Sequence, residues 1–85
     1  MNDKLEILKK RLIYKASYRG IKEMDILLGA FVNKYINEFD ENLLVDLENF
    51  LNFEDEILIN YYHFGIIEKK IDTNQISKLF KNFKI

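Results

Sequence analysis

The sequence predicts an all-α fold, a compact single-domain five-helix bundle that takes up residues 1–85. The chain has no proline and only three glycines, so few residues interrupt a helix. Its apolar residues recur at intervals of three and four, which is the period of a helix, and no alternating strand pattern persists. With 85 residues, of which 48% are hydrophobic, the chain is expected to bury one modest core.

The first two helices are predicted from apolar stripes and from the residues at their ends. A first helix is expected over residues 4–16, and Asp3 with Glu6 has the spacing of a capping box at its start. The strongest periodic signal predicts a second helix from residue 21 to residue 35 or 36. Gly29 lies inside it at a cost of about 1 kcal/mol relative to alanine, which indicates close approach by a neighbouring helix.

The third and fourth helices are predicted with their caps. Residues 41–51 form an apolar stripe, and Asp40 is expected to cap its start. A fourth helix is expected from residue 54 to residue 63 or 64, because three acids at its start would complement the helix dipole. Gly65 is then available as a C-terminal stop.

A fifth helix is predicted over residues 73–83, where the apolar positions again repeat with the helix period. Asp72 or Thr73 is expected to cap its N-terminus. The side chains expected to face inward are Ile76, Leu79, Phe80 and Phe83.

The composition removes several classes of site. There are no cysteines, which excludes disulfides, zinc ribbons and iron–sulfur ligation, and the single histidine, His63, cannot make a metal site by itself. No window approaches the roughly 18 consecutive apolar residues of a membrane span, and the N-terminus lacks the apolar core of a secretory signal. The sequence therefore predicts a cytoplasmic protein with no metal and no membrane partner.

Charge is strongly segregated along the chain. Residues 1–22 carry seven basic and two acidic side chains, whereas residues 23–56 carry one lysine and ten acids. Residues 57–85 return to five basic and two acidic side chains, and the whole chain has a formal net charge of −1. Such segregation favours a partner with a charge pattern of its own.

The candidate site is an Arg-Gly-x-x-Glu-x-Asp run at the junction of the first two helices, formed by Arg19, Gly20, Glu23 and Asp25. Arg11 and Arg19 are the only arginines of the chain, and arginine can bind a carboxylate in a bidentate manner that lysine cannot imitate. Gly20 can adopt a positive φ or allow close backbone contact. Arg19 lies four residues before Glu23, which predicts at least a surface ion pair between them.

The wider pattern closely resembles the opening of the SdhE family, the FAD assembly factors of succinate dehydrogenase. The resemblance is carried by residues 11–14, by the run from Arg19 to Leu28, and by Phe31. It continues more loosely through the acidic third helix and through residues 54–58, so that it covers residues 11–64. The chain lacks the proline and the tryptophan that family members commonly have at the start of the fourth helix, and nothing is carried over after Gly65.

The resemblance implies a chaperone that binds the flavoprotein subunit of succinate dehydrogenase, and often that of fumarate reductase, and promotes covalent attachment of FAD. It places the partner-binding residues at Arg11, Arg19, Gly20, Glu23 and Asp25, none of them catalytic. FAD would be attached to the partner, with no cofactor bound stably by this chain. On this interpretation, Arg19→Ala or Glu23→Ala is expected to weaken partner binding and to leave the thermal midpoint nearly unchanged.

Two other functions stay open from the residues alone. The basic N-terminal segment, with Tyr14 and Tyr18 interleaved with Lys15 and Arg19, is typical of a small nucleic-acid-binding module, although the acidic segment after it would repel phosphate. A protein–protein regulator of antitoxin-like type is the second alternative. An enzyme is disfavoured because paired acids need a water-excluding cleft to separate their pKa values, and the dinucleotide-binding glycine fingerprint is absent.

Overall fold

A computed structural model describes residues 3–85 of the chain, with side chains from Lys4 onward. The described part is all-α and contains no strand, which confirms the predicted fold class. The helices are α1 (Asp3–Ser17), α2 (Lys22–Tyr35), α3 (Glu41–Leu51), α4 (Asp55–Phe64) and α5 (Gln75–Asn82), with a short 3₁₀ helix at Ile71–Thr73. The first four agree with the predicted bounds to within a residue, whereas the capping box proposed at Asp3 lies outside the described side chains.

One hydrophobic core joins all five helices, and aromatic rings fill its centre. Phe31 of α2 is fully buried, and its ring lies 5.4 Å from that of Phe80 and 6.2 Å from that of Phe50, measured between centroids. Tilted and edge-to-face contacts of this kind are the favoured arrangement for buried rings. Tyr62 donates a hydrogen bond to the backbone oxygen of Phe83 at 2.6 Å, which fastens the C-terminal segment to α4.

The contact of α1 with α2 is close because both helices present small residues there. Gly29 is buried, and a Cβ atom placed on it would lie 3.1 Å from the hydroxyl oxygen of Ser17. Ala16 and Leu12 of α1 are also fully buried. The close approach of a neighbouring helix predicted at Gly29 is therefore confirmed.

The helix ends carry the caps that position the connections. The Asp40 carboxylate accepts a hydrogen bond from the backbone N–H of Leu43 at 2.9 Å, as predicted for the start of α3. Gly65 ends α4 with a φ of 68°, the left-handed conformation that glycine adopts without a steric penalty.

The predicted start of the fifth helix is wrong. Thr73 lies in the 3₁₀ turn and Asn74 is the cap, accepting a hydrogen bond from the backbone N–H of Ile76 at 2.8 Å and donating one to the backbone oxygen of Asp46 at 2.9 Å. Leu79 was expected to face inward but is 37% exposed. The reason is that the short helix packs through one narrow face, formed by Ile76, Ser77 and Phe80, which are all fully buried.

Candidate partner-binding site

The junction between α1 and α2 is a tight, exposed turn. Gly20 has a φ of 99°, a conformation that strongly favours glycine, and it is followed by Ile21 in an extended conformation as the N-cap of α2. A Cβ atom at Gly20 would have nothing within 4 Å, so the turn is open to solvent on that side. The backbone freedom expected of Gly20 is thus used here, and its surface is accessible to a partner.

Arg19 turns away from this surface and into the protein. Its Nε donates to a carboxylate oxygen of Asp55 at 2.7 Å, its Nη1 to the backbone oxygen of Leu51 at 2.5 Å, and its Nη2 to that of Phe53 at 2.7 Å. The side chains of Arg19 and Asp55 are only 10% and 18% exposed. We call this set of contacts the Arg19 clamp, because it joins the α1–α2 junction to the connection between α3 and α4.

The Arg19–Glu23 ion pair expected from the sequence is wrong. The four-residue spacing brings two side chains together only when both residues lie within the helix. Arg19 precedes the N-cap of α2, and the positive φ of Gly20 redirects the chain between them. Arg19 therefore pairs with Asp55, which is 36 positions away in the sequence.

Asp25 supports the turn from the first turn of α2. Its carboxylate accepts a hydrogen bond at 2.5 Å from the backbone N–H of Arg19, and its side chain is half-buried. The backbone N–H of Asp25 donates to the oxygen of Ile21 at 2.9 Å, which closes the first turn of the helix. Asp25 thus holds the residue that carries the clamp.

Glu23 points outward from the same helical turn. Its side chain is 66% exposed, and its carboxylate oxygen lies 3.8 Å from Nε2 of His63 at the end of α4. This distance is too long for a hydrogen bond, so the Glu23 carboxylate keeps its capacity to accept one from a partner. Gly20 and Glu23 form the exposed half of the motif.

Arg11 lies on α1, about two helical turns before the junction. Its guanidinium contacts the Glu48 carboxylate of α3 at 2.7 Å, while its side chain stays 61% exposed. Lys15, one turn further along α1, donates a hydrogen bond to the Asn52 side chain. The basic face of α1 is therefore matched in part by the acidic α3, and some of the charge segregation in the sequence serves the fold.

A cavity of about 610 Å³, which we call the tyrosine groove, opens beside the clamp. One wall comes from α1 and the junction, and the other is residues 51–55. The rings of Tyr14 and Tyr18 stack on the first wall with their centroids 4.5 Å apart, and both side chains are largely exposed. An exposed aromatic pair beside a cation is a surface that suits a protein partner, since tyrosine and arginine are enriched at interface hot spots.

The sequence did not reveal Asp55 as a member of this site. It lies in a run of three acids that predicts the charged start of α4 and belongs to the looser part of the family resemblance, but that run does not indicate a partner for Arg19. The available signal was the single arginine at the junction, which needs a carboxylate or carbonyl partner if it is buried.

Within residues 3–85, no group of three or more histidine and carboxylate side chains is placed to hold a metal ion. None of the helices in that range has the length and hydropathy that a membrane span requires.

Comparisons with known proteins identify the family of the chain. Residues 10–84 match the family model Sdh5, described as "Flavinator of succinate dehydrogenase", so the match extends past Gly65, where the resemblance seen in the sequence ended. Comparison with solved structures gave no significant match.

Two yeast proteins match nearly the whole chain. One, from Scheffersomyces stipitis, is 36% identical over 95% of this chain and 51% of its own length. The other, from Saccharomyces cerevisiae, is 39% identical over 99% of this chain and 49% of its own length. Both are named succinate dehydrogenase assembly factor 2, mitochondrial, and the chain spans about half the length of these curated relatives.

An insect protein, from Drosophila willistoni, is 39% identical over 60% of the chain and is named succinate dehydrogenase assembly factor 2-A, mitochondrial. The resemblance to the SdhE family is thereby confirmed, on residues that include both walls of the tyrosine groove and the whole of the Arg19 clamp. The chain belongs to the family of succinate dehydrogenase flavinators.

Proposed function

We propose that this chain is an assembly factor that binds the flavoprotein subunit of succinate dehydrogenase and promotes the covalent attachment of FAD to that subunit. The observation that carries the proposal is the match of residues 10–84 to a family described as flavinators of this enzyme. The exposed half of the motif and the tyrosine groove supply a surface through which such binding could occur. The chain acts by binding, and it does not catalyse the reaction itself.

The proposed contact residues fall into two sets, according to whether their polar groups are available to the partner or bind within the chain. Gly20 offers exposed backbone, and the outward carboxylate of Glu23 accepts hydrogen bonds from the partner. Arg11 can exchange its exposed contact with Glu48 for a carboxylate or a carbonyl on the partner, since exposed pairs of this kind contribute only about 0–1 kcal/mol. Arg19 and Asp25 contribute by holding the junction in shape, because their polar groups bind within the chain.

Binding alone is sufficient for the proposed effect. The chemistry of covalent attachment is supplied by the flavin and by the flavoprotein that holds it. An assembly factor that binds the attachment-competent conformation of its partner more tightly increases the population of that conformation. A preference of about 1.4 kcal/mol for that conformation is enough for a tenfold change in population.

The nucleic-acid alternative gains no support from the site geometry. Arg11 has the Glu48 carboxylate at 2.7 Å, and Lys15 contacts the Asn52 side chain, so this basic face is not a continuous positive surface. The Glu48 carboxylate of α3, which lies beside Arg11, would repel phosphate.

The test is covalent flavin fluorescence of the succinate dehydrogenase flavoprotein subunit on a denaturing gel, with and without this chain. The wild-type chain is expected to increase the signal, and Glu23→Ala is expected to abolish most of the increase. Glu41→Ala is the matched control, because Glu41 is an exposed acid in the first turn of α3, as Glu23 is in α2. A signal that does not depend on the wild-type chain would refute the proposal.

A further inference from the structure

The two walls of the tyrosine groove come from parts of the chain that are far apart in the sequence. Tyr14 and Tyr18 belong to α1 and the junction, whereas the opposite wall is residues 51–55, from the end of α3 to the start of α4. A groove of this kind keeps its shape only if something holds the two walls together. The contact of Lys15 with Asn52 crosses it, but that contact is exposed and joins two flexible side chains.

The Arg19 clamp is the strongest bridge that the structure places between these walls. The guanidinium contacts three different residues of the opposite wall, Leu51, Phe53 and Asp55, with every distance at 2.7 Å or less. Hydrogen bonds to a charged, largely buried group are stronger than those at an exposed surface. The planar fork also fixes direction, so the backbone of the opposite wall is held in a single orientation.

Asp55 is the only carboxylate within the clamp, and its place at the start of α4 serves two purposes. It neutralises a guanidinium that is 10% exposed, and it lies in the first turn of α4, where the helix dipole favours a negative charge. Without Asp55, Arg19 would be a buried cation facing two carbonyls only. Such a cation tends to move toward water, and it would release the opposite wall as it moved.

We propose that the α3–α4 connection, residues 52–54, is the second half of the partner-binding surface, and that Asp55 is the positioning residue that holds it there through Arg19. The identity of the partner rests on the proposed function, whereas the positioning role rests on the clamp. The surface is thus assembled from two junctions, of which only the first contains the Arg-Gly-x-x-Glu motif.

Two variants of Asp55 and one control separate this role from a general loss of stability. Asp55→Ala removes the acceptor, whereas Asp55→Asn keeps an oxygen that can accept from the Arg19 Nε–H and removes the charge. Asp40→Ala is the matched control, because the Asp40 carboxylate also accepts a hydrogen bond at a helix start, from the backbone N–H of Leu43, and lies at the far end of α3. All are measured as full chains under conditions where each is folded.

The first readout is the dissociation constant for the isolated flavoprotein subunit. Asp55→Ala is expected to weaken binding about tenfold or more, and Asp55→Asn to weaken it less, because asparagine keeps an acceptor for the Arg19 Nε–H but loses the neutralising charge. Asp40→Ala should stay within about twofold, since it leaves both walls in place. If Asp55→Asn binds as weakly as Asp55→Ala while the Asn52 and Phe53 amides of both variants exchange at the wild-type rate, the carboxylate contacts the partner directly and the positioning role is overturned.

The second readout is amide hydrogen exchange of the free protein. The N–H groups of Asn52 and Phe53 donate to the backbone oxygens of Asn49 and Phe50 at 3.2 Å, so their exchange reports local opening of the connection. Asp55→Ala should speed their exchange about tenfold, while amides of the same connection in Asp40→Ala should follow only the change in global stability. Unchanged exchange in Asp55→Ala would overturn the positioning role.

The two readouts keep the proposals apart. Faster exchange with unaltered affinity in Asp55→Ala would overturn the assignment of residues 52–54 to the binding surface. If the wild-type chain does not bind the flavoprotein subunit at all, the proposed function fails, and with it the identity of the partner. The positioning role of Asp55 would then be upheld by faster exchange in Asp55→Ala and refuted by its absence.

Discussion

Replacing Arg19 by alanine is expected to destabilise the fold by about 2–4 kcal/mol, because the substitution removes one buried side chain that satisfies three acceptors. This differs from the expectation drawn from the sequence, in which Arg19 was an exposed contact residue whose loss left the thermal midpoint nearly unchanged. The difference follows from burial. At 10% exposure, water cannot easily replace the guanidinium at Asp55 and at the two carbonyls.

The size of the expected loss of stability follows from the three hydrogen bonds of the clamp and from two effects that reduce it. Hydrogen bonds to a charged group contribute about 1.5–3 kcal/mol each, which gives an upper bound of roughly 4.5–9 kcal/mol for the clamp. About 2 kcal/mol is regained because an arginine side chain no longer has to be held in one rotamer. Partial access of water to Asp55, which is 18% exposed, reduces the loss further.

The assay is denaturant unfolding followed by the helical circular dichroism signal, with Arg11→Ala as the matched control. Arg11 is also an arginine of this region in an ion pair, but at 61% exposure its loss should cost about 0–1 kcal/mol. For a domain of this size the Arg19→Ala loss corresponds to a fall of about 10–25 °C in the thermal midpoint. Arg19→Lys keeps the charge but not the fork, and should recover less than half of the loss. Equal losses for Arg19→Ala and Arg11→Ala would refute the reasoning.

Three further predictions concern the turn, the helix contact and a buried phenol. Gly20→Ala should lower the free energy of unfolding by about 1–2 kcal/mol from backbone strain alone, because the φ of 99° is unfavourable for alanine although its Cβ has open space. Thermal unfolding would show this, and a midpoint equal to wild type would contradict it. Gly29→Val should destabilise the contact of α1 with α2, because even a Cβ atom would lie 3.1 Å from the Ser17 hydroxyl; an unchanged denaturation midpoint would count against that packing. Burial, with a smaller contribution from Asp72, raises the pKa of the Tyr61 hydroxyl above 10.0, so the folded state holds its proton more tightly than the unfolded state. The free energy of unfolding contributed by the Tyr61 hydroxyl is fully present below pH 10 and is lost as the pH rises through the raised pKa. Tyr61→Phe should therefore lose less stability at alkaline pH than wild type, which unfolding curves recorded at a series of pH values would measure.

The helices could be predicted because their signals are local. Asp40 and Gly65 lie directly beside the helix ends that they determine, and the apolar stripe of α2 lies within one segment. The start of α5 was predicted wrongly because the local signals there are ambiguous, since Thr73 and Asn74 are both good caps. Only the contact of Asn74 with the Asp46 carbonyl of α3 favours the second, and that contact is tertiary.

The candidate site was predicted in position but not in the direction of its side chains. Arg19, Gly20 and Glu23 were recognised as a motif at a junction, and the structure places them there. The sequence could not show that Arg19 turns inward, because its three acceptors lie 32–36 positions away and two of them are backbone oxygens without any side-chain signature. The predicted Arg19–Glu23 pair applied the four-residue spacing of a helix across the start of α2, where that spacing does not bring side chains together.

This inward turn changes how activity data on the motif should be interpreted. With a total stability of roughly 5 kcal/mol, a loss of 2–4 kcal/mol leaves Arg19→Ala about 85% folded or more at 25 °C. Unfolding alone would then lower flavinylation by only a small fraction. A severalfold loss in Arg19→Ala would therefore have to come from the folded molecules, in which the connection between α3 and α4 has been released. Glu23→Ala, which leaves the clamp intact, would lose activity with no loss of stability, so the same assay on the two variants separates a contact residue from a residue that shapes the surface.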